Sequence, residues 1–236
     1  MDRYRERAPQ LDPYRLIARV WSRRTGAAGP REARVVPDGC MDLIWHRESG
    51  RLLVAGPDTV PHVSPMSRGT LVALRFAPGA APAALGLRAD ELRDGRVPLE
   101  KLWSPGEIRQ LSGELAATTS AEAAQQVLQR SVNARFGGDR DPVPAAVLGL
   151  LASGTRVGAM AAEIGLSERQ LHRRCLAAFG YGPKVLHRVL RFDRARALAR
   201  RGLPFAEIAY RLGYADQAHL AREVKSLGGV PLGQFT

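Results

Sequence analysis

Two short stretches of this chain concentrate side chains able to make directed contacts. In "SERQLHRRC", residues 167–175, Arg169, His172, Arg173 and Arg174 crowd together, and in "DQAHLAREVK", residues 216–225, Gln217, His219, Arg222 and Lys225 do so. The guanidinium fork of Arg fits guanine O6 and N7 together, and the amide of Gln fits adenine N6 and N7, at ~1–3 kcal/mol of discrimination per good pair. The chemistry these residues offer is hydrogen bonding to base edges. Taken singly, each stretch also suits the solvated face of an ordinary helix, so the decision falls to the elements around it.

Those elements are written twice. "AEIGLSERQLHRRCLAAFGYGP" is followed about fifty residues later by "AEIAYRLGYADQAHLAREVKSLGGVP". In the first copy an amphipathic "RVGAMAAEIG" ends at Gly165, and Ser167 stands at the N-cap position of a second helix. In the second, Pro204 opens a helix running to Gly213, and Asp216 stands at the next N-cap. Ile164 aligns with Leu212, Gly165 with Gly213, Leu171 with Leu220 and Cys175 with Val224. The alignment gives the second copy one extra residue before its cap and a last helix one residue shorter. Cys175 thereby reads as a small core residue. With Leu171 and Cys175 turned inward, Arg169, His172 and Arg173 fall on the opposite surface, near the end of the helix that meets bases in a major groove.

Between the copies, residues 183–201 predict one helix of roughly 28 Å, close to the ~34 Å between successive major grooves on one face of DNA. It keeps Val185, Val189, Phe192, Ala195 and Ala199 on one stripe, with Arg188, Arg191, Arg194, Arg196, Arg200 and Arg201 around the remainder. The chain carries 35 Lys+Arg against 23 Asp+Glu, a formal charge of +12 with a pI near 10.8. Residues 141–236 hold fourteen of those bases and seven of those acids, so the excess gathers where the repeats are. Such a balance fits a polyanionic partner, nucleic acid or an anionic membrane; an Arg-rich, GC-biased proteome gives the same bias without a partner.

Over these residues the last ninety-five or so resemble the DNA-binding domain of the AraC/XylS family of bacterial transcription regulators. The resemblance rests on "AAEIGLSERQLHRRCLAAFGYGP", on "RFDRARAL" and on "FAEIAYRLGYADQAHLAREVKSLGGVP". It implies a seven-helix, two-lobed domain that reads two adjacent major grooves of promoter DNA, with base contacts on Arg169, His172 and Arg173 in one lobe and on Gln217, Ala218, Ala221 and Arg222 in the other. Ala218 and Ala221 cannot hydrogen-bond a base, so they offer only contact to a thymine methyl, and specificity shifts toward the first lobe. The sequence stops at Thr236, where the family's last helix would be starting, so that helix is expected to be cut short or minimal.

Upstream the texture differs. From Ala33 to Phe76 short apolar runs ("ARVV", "CMDLIW", "RLLVAG", "GTLVALRF") are cut by Pro, Asp and Gly, the pattern of antiparallel strands. Two helices follow, one through Ile108, Leu111 and Leu115, the other capped by Ser120 and carrying Val127, Leu128, Val132 and Phe136. "GGDRDPVP", residues 137–144, has the composition of a linker. The expected class is α+β: a β-rich, barrel-like domain over residues 1–138 with a trailing helix pair, then an all-α domain over 141–236. In the latter, helix-turn-helix units occupy about 155–180 and 204–228, joined by a helix over about 183–201.

The first segment, with "VVPDGCMDLIWHRESGRLLVAGPDT" and "LVALRFAPGAAPAALG", resembles the N-terminal domain of an actinobacterial-type subgroup of the same family. That implies a sensing or dimerisation role, a small-molecule effector, a homodimer, contact with RNA polymerase and, by family habit, activation. Trp45, Arg75 and His62 are the candidate effector residues, with Met66 beside them. Cys40, Asp42, His46 and His62 are metal-ligand types without a compact ligand spacing, which leaves a metal-responsive regulator as the alternative. A third version makes this segment a dimerisation module only.

No cofactor is expected. A barrel enzyme fused to a DNA-binding domain is the remaining rival, yet no G-x-S-x-G elbow, H-E-x-x-H pair, P-loop or G-x-G-x-x-G fingerprint occurs. Alkyl-transfer repair on a zinc-bound cysteine needs four cysteines, and the first segment has Cys40 alone. Two distant cysteines and no apolar run near ~20 residues suit a soluble protein of a reducing cytoplasm, without a membrane partner.

Overall fold

The computed structural model describes residues 3–26, 32–65 and 68–235. Its N-terminal part is a six-stranded antiparallel sheet ordered β1 (Arg3–Arg7), β2 (Ile17–Thr25), β7 (Gly69–Phe76), β4 (Asp42–His46), β5 (Arg51–Ala55) and β8 (Arg96–Pro98). A separate ribbon pairs β3 (Glu32–Val35) with β6 (His62–Pro65). Alternation sets the faces. Leu43 and Trp45 of β4, Val72, Leu74 and Phe76 of β7, and Val20 of β2 turn to one side and are buried there. Against that side pack α1 (Ala81–Leu85), α2 (Pro105–Ala116) and α3 (Ala121–Arg135), which contribute Leu111, Leu115, Val127, Leu128 and Val132 to the same core.

The helix pair behaves as its sequence dictates. Ser104 closes a reciprocal capping box with Glu107 at the start of α2, and Ser120 Oγ accepts the Ala123 N–H at 3.0 Å to start α3. Both helices cover the sheet.

Strands β1 and β2 were not foreseen. β2 lies inside the sheet between β1 and β7, although its sequence, "IARVWSRRT", has three Arg; only Ile17, Val20, Trp21 and Thr25 are buried. Its entry is fixed by Asp12, whose carboxylate accepts the N–H groups of Leu16 (2.7 Å) and Ile17 (3.0 Å).

Beyond Phe136 the chain is helical: α4 (Val143–Ala152), α5 (Met160–Glu163), α6 (Glu168–Phe179), α7 (Pro183–Arg200), α8 (Phe205–Arg211), α9 (Gln217–Gly228) and a closing 3-10 turn at Leu232–Phe235. Two cores form here. Val147, Leu151, Met160, Leu171, Cys175, Phe179 and Leu186 make the first, and Val189, Phe192, Ala195, Ile208, Leu220, Val224 and Leu227 the second. Helix α7 serves both, because its inward stripe changes partner between Leu186 and Val189. Val36, from the N-terminal part, joins the second core.

Candidate nucleic-acid interface

Helix α6 starts at a capping box in which the Gln170 N–H meets Ser167 Oγ (3.3 Å) and the Ser167 N–H meets Gln170 Oε1 (2.9 Å). Leu171, Cys175, Ala178 and Phe179 follow at i, i+4, i+7 and i+8 and are buried. Burial pushes the Cys175 thiol up to about 12, as befits a core residue. The opposite side exposes Arg169, His172, Arg173 and Arg174. They are not equivalent. Arg174 donates to Asp141 at 2.7 Å, tying the helix to the linker. The His172 ring lies against Gly182, where an added Cβ would fall 2.7 Å from Nε2. Arg169 and Arg173 make no side-chain hydrogen bond or ion pair among the described residues.

Helix α9 repeats this frame with different means. Asp216 Oδ1 accepts the His219 N–H at 2.6 Å, and Leu220, Val224 and Leu227 are buried. Gln217, Ala218, Ala221, Arg222 and Lys225 are exposed. His219 is turned away from them: its Nδ1 accepts the Ala215 N–H (3.3 Å) and its ring meets Tyr214 edge-on at 5.3 Å. It belongs to the turn.

Each unit turns on a left-handed glycine, Gly165 at φ 67° and Gly213 at φ 69°, and α6 and α9 each end on another, Gly180 at φ 76° and Gly229 at φ 74°. Only Gly adopts this conformation without a Cβ penalty. The expected shortening of the second helix is corrected: α6 and α9 both have 12 residues. From cap to end, Ser167/Asp216, Leu171/Leu220, Cys175/Val224 and Gly180/Gly229 keep one constant offset, and the additional residue lies wholly in the preceding turn.

The two units are joined by α7, whose 18 residues give ~27 Å. Several of its cations are structural. Arg188 binds the Glu223 carboxylate through two bonds of 3.0 Å, Arg191 approaches it at 3.8 Å while lying 4.0 Å over the Tyr214 ring, and Arg196 pairs with Asp193 at 3.1 Å. The hydrogen bonds from Arg188 hold the Glu223 carboxyl below the usual carboxylate range. Arg194, Arg200 and Arg201 remain exposed.

In the N-terminal part the candidate effector residues are not brought together. Trp45 is buried in the core shared with the helices. Arg75 lies on the other side of the sheet, where Asp42 (3.0 and 3.1 Å) and Asp38 (3.2 Å) occupy its guanidinium. Burial raises the Asp42 carboxyl even though Arg75 opposes the shift. His62 belongs to the separate ribbon, and Met66 lies outside the described residues. Among the described residues no three His, Cys, Asp or Glu side chains are grouped to hold a metal, and no helix is long and apolar enough to cross a membrane. A cleft of about 290 Å³, unforeseen from the sequence, lies beside β5 and β8, lined by Arg51, Leu53, Arg96, Pro98, Glu100 and Ile108.

Comparison with known proteins follows the same division. Residues 160–236 match the model of a helix-turn-helix domain, and residues 5–98 match a domain of unknown function (DUF6597). Over 82 residues the chain is 37% identical to the probable bifunctional transcriptional activator/DNA repair enzyme AlkA of two Mycobacterium tuberculosis strains, which is 33% of this chain and 16% of those proteins. The chain thus spans about a sixth of the length of these relatives. Among solved structures, ToxT from Vibrio cholerae O395 aligns over 100% of this chain and 96% of its own at 12% identity, with a TM-score of 0.46. Unsaturated fatty acid bound wild-type ToxT from strain SCE256 aligns over 100% and 94% at 12% identity, with a TM-score of 0.43.

Proposed function

We propose, from the premise that this chain is a DNA-binding transcriptional regulator of the AraC family, that it places α6 and α9 in two successive major grooves of one promoter site. Arg169 and Arg173, with His172 beside them, read bases from the first helix, and Arg174 stays on Asp141 until DNA competes for it. Gln217 and Arg222 read from the second, where Ala218 and Ala221 favour a thymine methyl. The observation that carries this reading is the constant offset from cap to C-terminal glycine, which gives the chain two helices of equal length and matching core spacing with exposed outer faces.

In this reading residues 1–138 are the control domain and 141–236 the DNA-binding domain. The first segment answers to a small-molecule effector, supports a homodimer and governs contact with RNA polymerase in the cytoplasm. The repair activity named for the mycobacterial relatives is not transferred, because the 82 matched residues cover only the helix-turn-helix region.

The test is affinity selection of genomic fragments by the purified full-length protein at physiological salt, with footprinting of what is retained. Two protected blocks about 10 bp apart, centre to centre, are the expected result. Retention without sequence preference, lost steeply as salt rises, would sink the reading and leave only charge-driven binding.

A further inference from the structure

One five-residue segment of the N-terminal part touches the equivalent end of both recognition helices. The segment is Pro57–Pro61, between β5 and β6. At the end of α6, a Cβ on Gly180 would collide with the Pro57 ring and stand 3.3 Å from the Ala89 carbonyl oxygen. At the end of α9, a Cβ on Gly229 would stand 3.1 Å from Pro61 Cγ and 2.8 Å from Arg34 Nη1. The turn glycines, Gly165 and Gly213, have nothing within 4 Å of such a Cβ, so of these four glycines the N-terminal part approaches only the two at the helix ends. Next to Gly180, Tyr181 is 1% exposed and its hydroxyl donates to the Asp58 backbone carbonyl at 2.7 Å.

The segment is held as rigidly from its own side. Asp58 takes a two-pronged ion pair from Arg96 (2.8 and 2.7 Å). The Asp94 carboxylate accepts the Thr59 N–H at 2.6 Å and its hydroxyl at 2.7 Å, and the Asp94 N–H returns to the Pro57 carbonyl at 3.0 Å. Two prolines fix φ at its ends. Four peptide links span at most about 14 Å, so the ends of the two readers are pinned at a short, set separation. Helix α7 packs into both lobes, and Val36 and Gly39 of the N-terminal part reach the second core and α7. Pro57–Pro61 adds a brace placed directly between the C-terminal ends of the two readers.

We propose that Pro57–Pro61 is a spacer that fixes the relative placement of α6 and α9 and thereby sets which distance between two DNA half-sites the protein accepts. Its residues are positioning residues: they act through Gly180, Tyr181 and Gly229 and touch no base. The inference rests on the two-groove reading above. It also gives the control domain a lever, since any shift of the β8 side at Asp94 or Arg96 moves the spacer against both readers at once.

The test uses full-length protein and DNA sites carrying the two footprinted half-sites at every separation from three base pairs shorter to three longer than the native one. Each added base pair rotates the second half-site by about 34°, so the wild type is expected to show one sharp optimum. Tyr181→Phe, which keeps the ring, and Thr59→Val, which lies outside both helical cores, should retain the base preference of each half-site. The preference for the native separation over its neighbours should fall about three- to tenfold in Tyr181→Phe, the worth of one buried hydrogen bond, and by a smaller factor in Thr59→Val, whose bond to Asp94 is exposed. An unchanged separation profile in both variants would overturn the proposal, as would an equal loss of affinity at all separations. A wild type that protects a single block would remove the two-groove reading and this proposal with it, and that result is read before any variant is made.

Discussion

The two helix-turn-helix units make the most instructive comparison in this molecule. Inside, they agree: Leu171 and Leu220, Cys175 and Val224, and the glycine pairs occupy matching sites. Outside, they diverge, with Arg169, His172, Arg173 and Arg174 on one and Gln217, Ala218, Ala221 and Arg222 on the other. Their restraints diverge too. The first unit is gripped by the N-terminal part through Gly79 against Phe179, Pro57 against Gly180 and Tyr181 on Asp58. The second is held from α7, by Arg188 and Arg191 on Glu223, with Val36 and Pro61 as lighter contacts. A repeated backbone therefore supplies the frame, while surface chemistry and attachment are free to differ between copies.

The largest expected effect tests that difference in grip. Gly180→Ala combines a left-handed φ of 76° with a collision against Pro57, and should cost roughly 2–5 kcal/mol of stability from backbone strain and overpacking together. Gly165→Ala, left-handed in open space, should cost only the backbone part, about 1–2 kcal/mol. Gly229→Ala should fall between them, since its neighbours include the mobile end of Arg34. Denaturant midpoints rank the three. Equal midpoints for the Gly180 and Gly165 variants would show that the Pro57 contact yields without cost.

Next in size is base reading. Arg173→Ala should lose ~1–3 kcal/mol and relax preference at one base pair of the first block. Scanning single-base changes across the whole site should find the steeper losses in that block and a thymine preference in the second. An equal loss on every sequence for Arg173→Ala would deny it a base-reading role and erase the asymmetry between the units.

The sequence made the repeat legible because its signals are local: a cap, a turn glycine and apolar residues four apart, as in Ser167, Gly165 and Leu171/Cys175. What escaped was non-local. Strand β2 was hidden by Arg19 and Arg23, which an inner strand tolerates on its outer face, and by Arg24, which is exposed near the strand's end. Contacts such as Tyr181 with Asp58 or Arg174 with Asp141 join residues whose proximity no short pattern encodes. The extra turn residue, Ala215, needs no compensating deletion in α9, because a residue added before the cap leaves the cap-to-glycine length of the helix unchanged. Trp45 and Arg75 looked like neighbours in a pocket, but β4 and β7 send them to opposite faces.

A smaller effect should distinguish the second unit's attachment. Because Arg188 depresses the Glu223 carboxyl, its contribution to stability is fully present above the unfolded value of roughly 4.3 and is lost as pH falls through the lower folded value. Glu223→Gln should therefore be less stable than wild type at neutral pH, and the gap should close as the medium is acidified below that range. A gap that stays constant between pH 7 and pH 3 would mean the pair with Arg188 and Arg191 adds nothing through its charge.

The smallest expected effect separates phosphate contact from base reading on the helix that joins the units. Arg200 is exposed at the end of α7 and makes no ion pair among the described residues, whereas Arg188 and Arg196 are committed internally. If Arg200 meets a phosphate, Arg200→Ala should lower the slope of log K against log salt by about 0.9 and weaken every sequence alike. If it only keeps the helix soluble, nothing should change. A loss confined to particular base pairs would place sequence recognition on α7 itself, and the division of labour between two reading helices and one bridging helix would no longer hold.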